Sequence, residues 1–152
     1  MAASDSPLGD LYDRVVDRVG NAPLVGSEPA VPVFRKDDSS PDELVRKATA
    51  QGASGVAIFV SQPRLAPKGS LRKAYNGSFT VEIVEDATLN RGPGGTGKTG
   101  PEIEDSIVRH LTVWSHGLPI SGITVRGWEM PDSGGGSIRV ITFGFSCLAT
   151  SY

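Results

Sequence analysis

The chain has 152 residues, 15 basic and 17 acidic side chains for a formal net charge of -2, and 38% hydrophobic residues. That length fits one domain with a real core, and the balance gives no electrostatic footprint for nucleic acid or an anionic membrane surface. No segment approaches the apolar length of a membrane span, and Met1–Pro7 lacks the basic start and apolar core of a secretory leader. One cysteine, Cys147, excludes an intrachain disulfide, and its apolar strand setting predicts a buried, inert thiol.

The first predicted element is an amphipathic helix. Leu8, Leu11, Tyr12, Val15, Val16 and Val19 share one face, opposite Asp10, Asp13, Arg14, Asp17 and Arg18. Ser6 and Pro7 give it a cap and a proline start, and Gly20 ends it. Prolines at 23, 29 and 32 argue against regular structure over 20–39, except for a short extended piece at Val31–Arg35. A second helix begins at the capping box Ser40-Pro41-Asp42-Glu43, with Leu44, Val45 and Ala48 as its apolar face and Gly52 as its end. The continuous apolar run Gly55–Val60 predicts a central strand.

A long, locally basic connection over 61–77 carries Arg64, Lys68, Arg72 and Lys73. Alternation then predicts a strand at Ser78–Glu85, with Phe79, Val81 and Ile83 on one side. The third helix is predicted from Pro101 to about Ser115, with Ile103, Ile107, His110, Leu111 and Trp114 on its buried face. Strands at 120–130 and 137–148, joined by the turn 131–136, close the chain. The predicted fold is α+β: one domain over 1–152, ordered α-α-β-β-α-β-β, with a mainly antiparallel four-stranded sheet flanked by two or three helices. Long loops are expected at 20–39, 61–77 and 86–100.

The loop at 92–99, Gly-Pro-Gly-Gly-Thr-Gly-Lys-Thr, fits the phosphate-binding pattern G-x-x-x-x-G-K-[ST] at Gly92, Gly97, Lys98 and Thr99. Its context opposes that chemistry. The preceding strand ends near Glu85, with six residues intervening before Gly92, and Gly100-Pro101 places Lys98 outside the helix. Glu102, Glu104 and Asp105 suit the helix dipole but would repel a triphosphate at the same end. Strand 55–60 closes without a carboxylate for Mg²⁺, and the final hairpin is antiparallel, unlike the parallel sheet such enzymes use. The alternative assignment explains each residue: Thr99 and Glu102 form a capping box, glycines and proline supply turns, and Lys98 is solvated. The octet is therefore expected to be a decoy, with no cofactor. A small nucleotide-binding enzyme built on Gly92–Thr99 is the competing class.

No other constellation suggests catalysis or metal binding. His110 reads as a core or interface histidine, His116 as a favourable charge at a helix C-terminus, and Trp114 and Trp128 as core, with an oligomer interface as the alternative for the tryptophans. There is no G-x-S-x-G elbow. The chain is expected not to be an enzyme.

Residues Phe79–Arg91, a Val/Glu strand followed by Leu89-Asn90-Arg91, lead into a glycine- and threonine-containing loop and a helix. With the turn Leu111–Pro119, which carries Trp114, His116 and Gly117 in altered order, this resembles tail-terminator or tail-completion proteins of tailed double-stranded DNA bacteriophages, a group that includes minor tail proteins of contractile-tailed phages. The resemblance spans about 55–148. It implies a structural virion protein, assembled in the host cytoplasm as a ring, hexameric in that group. The ring would cap the tail tube, end its polymerisation and face the neck. Implied partners are further copies of the chain, the tube protein, a neck or connector protein and, as a further candidate, the sheath. No membrane or sequence-specific nucleic acid is implied. Arg64, Lys68, Arg72, Lys73, Arg91 and Lys98 are the assembly-interface candidates. Another neck or baseplate adaptor fits the same residues.

Overall fold

The computed structural model describes residues 7–36, 40, 43–44, 46, 55–67, 74–118, 120–131 and 137–148, with only the backbone of residues 7, 8, 67, 74, 147 and 148. Helix α1 spans Pro7–Gly20 and a single turn, α2, Pro23–Gly26. Strands β1 (Val33–Arg35), β2 (Val56–Val60), β3 (Arg64–Pro67) and β4 (Ala74–Glu85) follow. A short helix α3 (Ala87–Arg91) and the longer α4 (Gly100–Thr112) precede β5 (Thr124–Glu129) and β6 (Ser137–Leu148).

The strands form one sheet in the order β1-β2-β4-β6-β5, and β3 also pairs with β4. All pairings are antiparallel except β1 with β2. The α+β architecture matches the sequence pattern, and the four expected strands form its main body. Two short strands enlarge it to six. β1 falls on the anticipated extended piece at Val31–Arg35, while β3 lies in what was expected to be loop 61–77. That stretch and the start of β4 carry proline, glycine and basic residues. The ladder with β4 overrides their low strand propensity. Loop 20–39 likewise contains α2 and β1, and 86–100 contains α3.

Alternation along the strands divides the core. Ile58, Phe79, Val81, Ile83, Ile141, Phe143 and Phe145 face the helices, where Leu11, Val15 and Val19 of α1 and Ile103, Ile107 and Leu111 of α4 meet them. Phe79 and Phe143 are cross-strand partners whose rings stack with centroids 5.4 Å apart. On the opposite face, Ala57, Phe59, Val84 and Ile138 form a smaller cluster with Leu44. Leu44 belongs to the expected second helix, of which Glu43, Leu44 and Arg46 are helical, and Ser40 Oγ accepts from the Glu43 amide at 3.4 Å. Pro41, Asp42, Val45, Ala48 and Gly52 of that helix, and most of the turn 131–136, lie outside the described residues.

β2 is buried at every position, as a central strand requires. Gly77 is directly opposite Phe145, and a β-carbon there would meet the ring at 2.1 Å, so the phenyl group occupies the space over the glycine. Trp114 packs half-buried against the main core. Trp128 does not: it is 59% exposed on edge strand β5, correcting the expectation of a core tryptophan. Trp128 lies opposite Ile141 on β6, but it belongs to neither core cluster.

Candidate functional site

The 92–99 loop is built outward from the end of β4. Asp86 caps α3 by accepting from the amides of Thr88 at 3.1 Å and Leu89 at 3.2 Å. That one-and-a-half-turn helix fills what the sequence reads as a spacer, and it carries Asn90 inward to complete burial. Asn90 Nδ2 donates to Glu85 Oε2 at 2.7 Å and to the Lys98 carbonyl at 2.8 Å. Its Oδ1 accepts from the Thr96 amide at 3.2 Å and from the Thr96 hydroxyl at 2.5 Å. The side chain thus uses both donors and both acceptor sites, as a buried amide must to avoid a large desolvation cost.

The glycines let the loop fold back onto this hub. Gly94 and Gly97 hold positive φ angles of 87° and 70°. A β-carbon on Gly95 would come within 2.0 Å of the Asn90 carbonyl oxygen. The resulting wrap engages every backbone amide from Gly95 to Gly100. Gly95 donates to the Gly92 carbonyl and Gly97 to that of Asn90, both at 3.0 Å. Lys98 donates to Thr96 Oγ1 at 3.1 Å, Thr99 to Glu102 Oε1 at 3.0 Å, and Gly100 to Glu85 Oε1 at 3.2 Å. A phosphate cradle presents such amides outward to its ligand. Here the protein's own oxygens occupy them, and the anion at the start of α4 is the Glu85 carboxylate.

Thr99 and Glu102 form the expected reciprocal capping box. The Glu102 carboxyl lies below its usual value because the Thr99 amide, and then its hydroxyl, donate to it. Of the other first-turn acids, Glu104 pairs with Arg139 at 3.5 Å and Asp105 with Arg109 at 3.0 Å. Lys98 is outside the helix, as expected, but it is not simply solvated. Its Nζ donates to the carbonyls of Ser27 at 2.5 Å and Pro29 at 2.9 Å, fastening the loop to the segment after α2. Lys98 thus ties the loop to carbonyls 71 and 69 residues away, just after α2.

The other interface candidates are scattered. Arg64 is exposed on β3 and Arg91 on the last turn of α3, while Lys68, Arg72 and Lys73 lie outside the described residues. The Cys147 side chain also lies outside them. His110 has its pKa lowered, first by desolvation and then by nearby Arg18, and its Nε2 lacks a partner among the described residues. His116 accepts the Leu118 amide on Nδ1 at 3.0 Å and faces the Ser121 carbonyl through Nε2 at 3.0 Å. No group of three or more His, Cys, Asp or Glu side chains suited to a metal occurs among the described residues. No described helix is long and apolar enough to cross a membrane.

Two sets of residues escaped the sequence. Glu85 and Asn90 organise the loop, and the only local signal was a polar pair flanking a cap residue. Arg14 and Arg18 were read as part of a polar helix face. Their i,i+4 spacing shows only that they share a helix face; that Trp114 lines the same cleft comes from the tertiary fold.

No protein-family model matches this chain, and no curated protein matches it by sequence. Among solved structures it is similar to a chain from the virion of a native gene transfer agent (GTA) particle. The two share 12% identity over 88% of this chain and 90% of that one, at a TM-score of 0.52. At that identity the likeness establishes a shared fold across nearly the whole of both chains. A second solved chain aligns over 90% of this chain and 94% of its own at 15% identity and a TM-score of 0.45, too low to carry an argument.

Proposed function

We propose that this chain is a non-enzymatic structural protein of a virion, acting as a tail-terminator ring at the head-proximal end of a tail. The observation that carries it is the fold shared along nearly the full length of both chains with a component of a virion particle. The family resemblance in Phe79–Arg91 supports the same class of assembly and supplies the finer role. The ring, hexameric in that reading, caps the tube, ends its growth and joins it to the neck. The 92–100 loop then serves as a rigid connector that anchors α4 over β4, since its amides and Lys98 are taken up within the protein.

The test is reconstitution. Purified protein added to assembling tail tubes is expected to shorten their length distribution, with labelled protein at one end only. Labelling along the whole tube or at the distal end, with no effect on length, would refute the terminator role and favour a different neck or baseplate position.

A further inference from the structure

Both histidines of the chain lie on one short stretch, His110 in the last turn of α4 and His116 in the segment that leads to β5. An arginine of α1 fastens each of them. Arg18 Nε donates to the His110 carbonyl at 3.1 Å, and Arg14 Nη1 to the His116 carbonyl at 3.2 Å. Trp114 lies between the two histidines. The Arg18 guanidinium is 5.6 Å from its ring centroid, and the His116 ring stands nearly perpendicular to it at 5.5 Å.

Each imidazole is held in a neutral setting. His116 Nδ1 accepts from the Leu118 amide at 3.0 Å, and Nε2 faces the Ser121 carbonyl at 3.0 Å. An amide N–H only donates and a carbonyl only accepts, which fits a ring with a single proton, on Nε2. A second proton, on Nδ1, would meet the Leu118 N–H and break that bond. This is the opposite of the helix-end charge that the sequence suggests. His110 Nε2 is enclosed without a partner among the described residues, and burial first, then Arg18, lowers the pKa of this ring.

The surroundings offer little to offset an added charge. From α1 the charged groups on this side are Asp10, Arg14, Asp17 and Arg18. Asp10 is engaged by Arg14 at 3.2 Å, and Asp17 is exposed on the adjoining cleft without bonding either imidazole. On α4, Arg109 pairs with Asp105 at 3.0 Å, and α2 has no charged residue. The strands reach the stretch through Ser121, whose amide and hydroxyl bond the backbone of Ser146.

We infer that the turn 113–118 is a pH-sensitive latch: two neutral imidazoles and two arginines hold it to α1, and protonation of both rings releases it. Acid then places four cations where there were two. The release is bounded by Leu111, which stays in the core, and by Ser121, whose bonds to Ser146 involve no titrating group. α1 itself remains seated through Leu11, Val15 and Val19. For His110 the folded value lies below the ordinary 6.5, so the folded state binds fewer protons there. Its contribution is complete above about 6.5 and is lost as pH falls through the folded value. The inference goes beyond the ring reading and does not depend on it.

The test is amide hydrogen exchange by NMR at about pH 7.5 and about pH 5, on either side of the histidine range, corrected for the intrinsic rate. In wild type the Leu118 amide is expected to lose protection at least about tenfold in acid, while the core amides of Ile83 and Ile141 keep theirs. His116→Asn retains an acceptor oxygen for the Leu118 amide but does not titrate. Combined with His110→Leu, it is expected to keep Leu118 protected at both pH values. Unchanged wild-type protection would overturn the latch. So would an equal loss in the double variant, which would assign the response to carboxylates such as Asp10. If the double variant does not fold, the wild-type imidazole carbon resonances decide. Both rings are expected to titrate over the range in which Leu118 loses protection, and a loss outside that range would overturn the inference.

Discussion

Asn90→Ala is expected to be among the most damaging single substitutions in the chain, although the residue is polar and lies outside the hydrophobic core. The alanine removes four hydrogen bonds, one of them to the Glu85 carboxylate at 2.7 Å. Neutral bonds contribute about 1 kcal/mol each and a bond to a charged group about 1.5–3 kcal/mol. The deletion also strands Glu85 Oε2, the Lys98 carbonyl and the Thr96 amide in a site too small to hydrate freely. Allowing for non-additivity, the loss is about 3–5 kcal/mol, a large share of the 5–15 kcal/mol of a typical domain. With a urea slope of about 2 kcal/mol/M, the unfolding midpoint falls by roughly 2 M. Urea titration followed by tryptophan fluorescence measures this, since Trp114 is packed against the core. Arg91→Ala, one residue on and exposed, is the control and should shift stability by no more than about 0.5 kcal/mol. An Asn90→Ala loss within about 1 kcal/mol of wild type would refute the claim that this amide holds the loop together.

Three further outcomes follow from the same contacts. Lys98→Ala, which removes two largely exposed hydrogen bonds, should cost only about 1 kcal/mol in the same titration. Equilibrium dialysis with ATP and Mg²⁺ should show no retention by either protein, and tight Mg²⁺-dependent binding abolished by Lys98→Ala would contradict the role given to the loop. Gly77→Ala should destabilise by about 1–3 kcal/mol through collision with the Phe145 ring, with part of the loss recovered in Gly77→Ala/Phe145→Leu; a neutral single variant would contradict the packing. The Glu102 carboxyl is held below its unfolded value, so the folded state binds fewer protons there. The capping contribution is complete above the ordinary glutamate range and is lost as pH falls through the lowered folded value. Thr99→Ala removes the hydroxyl but keeps the amide, so NMR titration of the Glu102 carboxyl carbon should show its pKa part of the way back up. An unchanged titration would contradict the box.

Periodicity made the long elements legible. The 3.6-residue spacing of Leu11, Val15 and Val19, and of Ile103, Ile107 and Leu111, located both core helices, because burial of one stripe is what makes such helices stable. The strand alternation through Phe79, Val81 and Ile83 was equally direct. The short elements were not legible, since β3 and α3 owe their existence to a neighbouring ladder and to the Asp86 cap rather than to a pattern of their own. The motif at Gly92–Thr99 misled in one respect and informed in another. Its flanks correctly placed Lys98 before the helix and Thr99 in a capping box, both local properties. That Lys98 reaches Ser27 and Pro29 depends on contacts distant in sequence, which residue types alone do not encode. The partners of Asn90 are local, but they meet it only once the loop has folded back to bring Thr96 and Lys98 beside it. Trp128 shows the same limit from the other side. Its residue type suggested core, but no core cluster reaches its position on β5, and it stays in solvent.

The central claim, that copies of this chain close into a ring, is tested most directly by electron microscopy of the purified protein at concentrations where it self-associates. The account predicts closed rings of uniform size with a central opening, six-fold if the tail-terminator reading holds. Particles that remain single subunits, or that grow as open filaments without closing, would contradict it.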